Sequence, residues 1–221
     1  LWLECSGEIG QVERPEYGLP RYTLRARVRN SRRGSIRESV ISGHQDFSHA
    51  VVRRASSADV HSLGIIGPAA YEAVYGYLWD DSAALARQLA TFGAEAFAKL
   101  LERADARLWI AQVDASILGF LAMVVGSANP ITREANGAEI PRIYLLPEAQ
   151  RLGLGKQLLN SAIAQARDEN LGHIWLDVMA SAEHARAAYL KWGFSELGLR
   201  TFDKPVKPEL ADMMVLIKYL K

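Results

Sequence analysis

The chain has 221 residues, 49% of them hydrophobic and 23% charged, with a formal net charge of +1, a composition that suits one soluble globular domain with a sizeable core. The near-neutral charge gives no electrostatic case for nucleic-acid binding, and no apolar run reaches the ~18–20 residues of a membrane span. A single cysteine, Cys5, excludes an internal disulfide and a cysteine-rich metal site, and the histidines show no His-x-x-x-His pairing, so no metal is expected.

The first fifty residues read differently from the rest. They hold eight arginines and no lysine against six acidic residues, with glycine, serine and proline scattered among them. No helical or strand period is evident, and there is no apolar core of a secretory signal. Residues 1–50 are therefore expected to be a disordered extension, and residues 51–221 the folded domain.

Val51-Val52-Arg53-Arg54 reads as a first strand. Ser57 offers a helix cap, and apolar positions recur at Val60, Leu63, Ile66, Ala70, Val74 and Leu78. Gly67-Pro68 interrupts them and predicts two short helices. A further helix is expected from Ser82, with Leu85, Leu89, Phe92, Ala96, Leu100 and Leu101 on one face. Leu108–Val113 and Ile117–Val125 flank Asp114-Ala115-Ser116 and predict an antiparallel hairpin. A strand from about Glu139 to Leu145 follows a polar stretch.

Gln150-Arg151-Leu152-Gly153-Leu154-Gly155-Lys156 lies between that strand and a clear amphipathic helix with Leu158, Leu159, Ala162, Ile163 and Ala166 on its apolar side. A strand, a glycine-spaced turn and a helix N-terminus build an anion site, because unpaired amides and the positive end of the helix dipole point at one place. Gly153 and Gly155 let the backbone approach a phosphate. Taken alone, such a turn is also an ordinary strand-to-helix connection. A third glycine for a dinucleotide fingerprint is missing, as is the Gly-Lys-Ser/Thr of a nucleotide P-loop. Ile174–Val178 then reads as a strand, Ala182–Lys191 as a helix closed by Gly193, and Phe194–Phe202 and Met213–Tyr219 as final strands.

Gln150-x-x-Gly153-x-Gly155 resembles motif A of the GNAT superfamily of acetyl-CoA-dependent N-acetyltransferases. Ala185-x-x-x-Tyr189-x-x-x-Gly193-Phe194, about 35 residues on, resembles its motif B. The resemblance covers roughly residues 51–221 and implies the GNAT fold, an α/β (α+β) arrangement. It comprises a mixed, mostly antiparallel sheet of six to seven strands, with splayed central strands and helices on both faces. The predicted order β-αα-βββ-α-β-α-ββ matches it.

The resemblance also implies the chemistry. Acetyl-CoA would be the co-substrate, with no metal. The backbone from Arg151 through Leu152, Gly153, Leu154 and Gly155 to Lys156 would hold the pyrophosphate, with polar help from Gln150 and Arg151. The main chain of Leu145 would pair with the pantetheine amides. Tyr189 would protonate the departing thiolate, and Glu139 would relay the amine proton through water. Asp177, an acid in an apolar strand, is a second candidate base, or else the partner of an arginine. Asp80-Asp81 could attract a cationic amine, or could form a solvated turn or helix cap.

Within the superfamily, Ile143-Tyr144-Leu145-Leu146, Ile174-Trp175-Leu176 and Lys191-Trp192-Gly193-Phe194 look like PaiA-type polyamine N-acetyltransferases. The chain departs from that pattern at Arg200, where relatives have histidine, at Leu210, where they have glutamine, and at Ala182, where they have a cofactor-contacting asparagine. A cation at Arg200 would disfavour a polycationic acceptor if it faced the pocket. The expected acceptor is thus an amine of a small molecule or peptide, in a cytoplasmic protein with no nucleic-acid or membrane partner. A homodimer is compatible with the resemblance. The alternative is a CoA-binding sensor without useful catalysis. A nucleic-acid-binding role led by the arginine-rich segment is weaker, because its arginines are mixed with acids.

Overall fold

A computed structural model describes residues 24–29, 36–41 and 49–220. The chain divides into two compact units, residues 1–46 and 47–221. In the first, β1 (Leu24–Arg29) and β2 (Ile36–Ile41) pair antiparallel, with Leu24 opposite Ile41 and Arg29 opposite Ile36. No strand is expected here, although Leu-Arg-Ala-Arg-Val-Arg alternates with period two. The rest of the expected extension lies outside the described residues.

The second unit runs β3 (Val51–Arg54), α1 (Val60–Tyr75), α2 (Ser82–Ala90), α3 (Ala94–Glu102), β4 (Ala106–Val113), β5 (Ser116–Val125), β6 (Gly137–Leu145), α4 (Leu154–Asp168), β7 (His173–Met179), α5 (Glu183–Lys191), β8 (Ser195–Thr201) and β9 (Asp212–Tyr219). Its strands form one sheet in the order β3-β4-β5-β6-β7-β9-β8. Every neighbouring pair is antiparallel except β6 and β7. Among the described residues no helix is long and apolar enough to cross a membrane.

Two helix expectations are corrected. Pro68 lies inside a single α1 and does not divide it. A Cβ on Gly64 would lie 2.6 Å from Ala94 N, and one on Gly67 2.8 Å from the Phe97 ring. These glycines let α1 pack directly on α3, and Gly67 also presents no Cβ to the proline ring behind it. Packing outweighs the breaker. Conversely, the single helix expected from Ser82 is two, because Phe92 and Gly93 turn back onto Leu89 and Ala90 through N–H···O bonds of 2.9 and 3.1 Å. That turn buries Phe92, and the extended Gly93 restarts the chain as α3. The cap of α2 is Asp81, whose side chain accepts from Ala83 N at 2.8 Å, and not Ser82. The first helical turn likewise starts from Ser56, one residue before the expected Ser57.

Helices cover both faces. Leu158, Leu159, Ala162 and Ala166 of α4 pack on Leu121, Met123, Ile140, Ile174 and Leu176. Leu63 of α1, Phe92 and Phe97 pack on Leu108, Ile110 and Phe120 across the other face. The parallel contact of β6 with β7 is short: Gly137, Ala138 and Glu139 oppose His173, Ile174 and Trp175, and there it stops. Just beyond, the β5–β6 register slips where Ala122 faces Arg142 and Val124 faces Glu139. Pro141 sits in this irregularity with no N–H to donate. From Ile140 to Leu145 the β7 side of β6 therefore has no strand partner, and the centre of the sheet is split.

Candidate active site

The glycine turn and the split strand edge meet at the start of α4. Gln157 N donates to Gly153 O at 3.1 Å, the first bond of the helix. The amides of Leu154, Gly155 and Lys156 therefore have no carbonyl inside it to bond. The cap residue is Gly153, which has no side chain to fold over them. Gly153 has φ 78° and Arg151 φ 64°, on either side of an ordinary Leu152. Such alternation turns successive N–H groups toward one concavity. A left-handed arginine costs ~1 kcal/mol, strain of the kind found where a ligand is held.

The glycines act differently. A Cβ on Gly153 would meet nothing within 4 Å, so that position requires glycine for its φ. A Cβ on Gly155 would make ordinary contacts, 3.5 Å from Leu145 Cδ1 and 3.8 Å from Trp192 Cη2. Leu145, Gly155 and Trp192 thus surround one point, which brings the strand end, the glycine turn and the second motif together. Gly119, which the sequence analysis does not single out, sets that approach. It pairs with Leu145, and any Cβ there would collide with Leu145 and the Tyr144 carbonyl. Outside this point lies a cavity of about 390 Å³ lined by Lys156, Asn160, Arg167, Lys191, Trp192 and Lys218.

Tyr189 is buried, with Trp192 and Phe194 edge-on to its ring, both at 5.6 Å. Burial raises its pKa, so the phenol stays protonated. Tyr75 at the end of α1 and Tyr144 on β6 stand nearby, their rings 6.1 Å apart. The pKa of Tyr75 is raised first by burial and next by Tyr189, and Asp177 also contributes. That of Tyr144 is raised by burial and then by Tyr75 and Tyr71. The hydroxyls of Tyr75, Tyr144 and Tyr189 bond to no described residue, whereas those of Tyr77 and Tyr219 reach Ser181 and Glu134. None of those three is among the sealed, partnerless polar atoms.

Glu139 ends the parallel contact, on the α1 side of the sheet. Ser127 Oγ donates to its Oε2 at 2.7 Å, and Trp175 Nε1 donates to Ser127 O at 3.0 Å, which fixes the pair. Burial raises the Glu139 pKa above the ordinary carboxylate value, and the Asp177 charge adds to this while the Ser127 bond opposes it. Asp177 meets Arg200 Nη2 at 2.6 Å through its Oδ2, which nonetheless lacks a well-aligned hydrogen bond. Burial raises the Asp177 pKa and Arg200 counters it. Asp177 thus has the arginine partner that is one of its two expected roles, and the Arg200 cation is matched. Asp80 pairs with Lys207 at 3.3 Å and Asp81 caps α2, so the turn-and-cap reading describes both.

Tyr189 and Glu139 share no hydrogen bond among the described residues; charge effects run from Tyr189 to Tyr75, from Asp177 to Tyr75 and from Asp177 to Glu139. Ala182 takes the cap position of α5 and provides no side-chain bond there. Tyr75, Gly119 and Arg142 escape the sequence analysis. A helix-end tyrosine and a strand arginine carry no motif, and only Gly119, isolated in an apolar strand, carries a local signal of close backbone approach.

A helix N-terminus with open amides beside a split strand edge is suited to an anion and an extended chain. The profile of the acetyltransferase (GNAT) family matches residues 71–194, more than half of the chain, and the chain belongs to that family. It is 34% identical over 91 residues to an uncharacterized N-acetyltransferase encoded in the pepI 3′ region of Lactobacillus delbrueckii subsp. lactis, covering 41% of this chain and 53% of that protein. It is 31% identical over 99 residues to streptothricin acetyltransferase of Streptomyces lavendulae, covering 44% of this chain and 49% of that protein. The chain thus spans about half the length of these relatives. The PaiA N-acetyltransferase of Thermoplasma acidophilum, solved with coenzyme A, shares the fold with TM-score 0.60 and 19% identity, over 77% of this chain and 98% of that one. The ribosomal-protein-S18-alanine N-acetyltransferase of Escherichia coli matches with TM-score 0.58 and 19% identity, over 78% and 94%.

Proposed function

We propose that the protein transfers an acetyl group from acetyl-CoA to a primary amine of a small molecule or peptide, by direct attack with both substrates bound. The observation that carries this reading is the contact of motif A with motif B, where Gly155 and Trp192 close on Leu145 and Tyr189 stands behind them. Acetyl-CoA supplies the acyl group as a thioester. Amides from Arg151 to Lys156 hold its pyrophosphate, with Gln150 and Arg151 adding polar contacts, and the basic groove along α4 takes the nucleotide end. The open edge of β6, ending at Leu145, pairs with the extended pantetheine arm as a strand would.

The chain's own groups move the protons. Glu139, its pKa raised by burial, takes one from the incoming amine through water. Tyr189, kept protonated by burial, gives one to the departing sulfur. The products are an N-acetylated amine and free CoA thiol.

Acetyl-CoA consumption against a panel of amines tests this, with Tyr189→Phe in parallel. Turnover by the variant should fall about 100-fold or more, the usual range for a lost general acid, while CoA affinity stays within about threefold. Equal losses in both would make Tyr189 a packing residue. The capless Ala182 on α5 favours a second reading, a CoA sensor, which tight CoA binding with no turnover on any amine would support.

A further inference from the structure

Arg142 is half-buried on β6 and has no carboxylate partner among the described residues. The other half-buried arginines have one: Arg107 meets Glu169 at 2.8 Å and Arg186 meets Glu196 at 2.7 Å. The Arg142 guanidinium lies 4.5 Å from the Phe92 ring centre and 5.9 Å from that of Phe97. An aromatic face attracts a cation but accepts none of its N–H bonds. The Arg142 nitrogens are not among the sealed, partnerless polar atoms, so the unfilled fork is open to solvent and to the oxygens of an incoming ligand.

Its position says what that could be. Arg142 is on the β6 stretch that β7 leaves unpaired. It shares a face with Tyr144, whose hydroxyl also lacks a bond among the described residues. Burial lowers the Arg142 pKa and the Tyr144 hydroxyl counters this, so the two groups sense each other. Glu139 precedes it along the same strand. Stacking on Phe92 restrains the flat guanidinium, the condition under which arginine selects planar, two-oxygen partners over single charges.

We propose that Arg142 receives a carboxylate of the acceptor, so that the substrates are amino acids and related carboxylate-bearing amines, not polyamines. This rests on the acetyltransferase reading above. Arg142 is a specificity residue, and it brings the substrate carboxylate to the open edge beside the amine's path to Glu139. A polyamine would instead place a second cation beside an unneutralised one.

The test uses the full chain and amine pairs that differ by one carboxylate: lysine with cadaverine, phenylalanine with phenethylamine. The wild-type kcat/KM ratio of acid to decarboxylated partner should exceed about 30-fold, the scale of a charge-assisted fork, and should fall below about threefold in Arg142→Met, chiefly through KM. Equal or better use of the decarboxylated amines by the wild type would overturn the proposal. So would an Arg142→Met variant that loses activity on both partners equally, since that marks a structural role. If Arg142→Met fails to fold, Arg142→Lys keeps the charge without the fork and should still lower the ratio; an unchanged ratio counts against the carboxylate site. Calorimetry with CoA-loaded protein separates this inference from its parent. Lysine binding that Arg142→Met abolishes, with no turnover on any amine, would retain the site and reject the transferase. Turnover without carboxylate preference would do the reverse.

Discussion

Burial and the nearby Asp177 charge raise the pKa of Glu139, while Ser127 resists with one hydrogen bond. The folded chain therefore disfavours the ionised form. Any stability linked to this group is present at low pH and is lost as pH rises through the raised pKa. Catalysis runs the opposite way, because a base must be ionised, so kcat/KM should climb over that interval. Glu139→Gln should remove the climb from the pH–rate profile and raise the thermal midpoint at neutral pH. A lower midpoint with an unchanged profile would make Glu139 a structural group. Glu139, Tyr189 and the glycine turn are legible in the sequence because each belongs to a local pattern. Arg142 and Tyr75 are not. They are placed by the packing of α1 and β6, which no local sequence pattern encodes.

At the level of elements, Asp59 joins the first strand of the domain to its first helix. It accepts from both terminal guanidinium nitrogens of Arg53, Nη2 at 2.7 Å and Nη1 at 2.8 Å, and from Ser56 N at 2.8 Å. The Arg53 contact, foremost among these, lowers its pKa from 3.8 to about 2. The depressed value contributes stability above the unfolded pKa that disappears as pH falls from about 4 through about 2. Arg53 is well exposed, so solvent screening reduces the effect, and Asp59→Asn should cost about 1 kcal/mol at pH 7. Urea midpoints at pH 7 and near pH 2 would check this; the gap between variant and wild type should close in acid. Most strands lie where their apolar runs predict. The helices between β3 and β4 do not: Gly67-Pro68 signals a break that packing overrides, while the lone Gly93 signals none and yet separates two helices. Gly64 and Gly67 serve the close packing of α1 on α3.

For the molecule as a whole, we propose that residues 51–221 form the catalytic domain and that the arginine-rich segment is dispensable to it. Limited proteolysis of the full chain should leave a resistant fragment beginning near Phe47–Val51 that still binds CoA. A segment as resistant as the remainder would refute this division. The order of elements along the chain is legible because two motifs anchor it, and the resemblance they carry implies that the central strands splay; the point where β6 leaves β7 is not legible, since only Pro141 hints at where pairing ends. At the C-terminal end of that split, three stretches distant in sequence are fastened together. Lys207 donates through its backbone to Leu78 O at 2.9 Å and through Nζ to Tyr77 O at 2.9 Å. The Tyr77 hydroxyl meets Ser181 Oγ at 2.9 Å. Such stitching makes the rim a single mechanical unit. A change in one of its loops is felt by the other two, so none of the three can be exchanged alone without losing a bond to its neighbours.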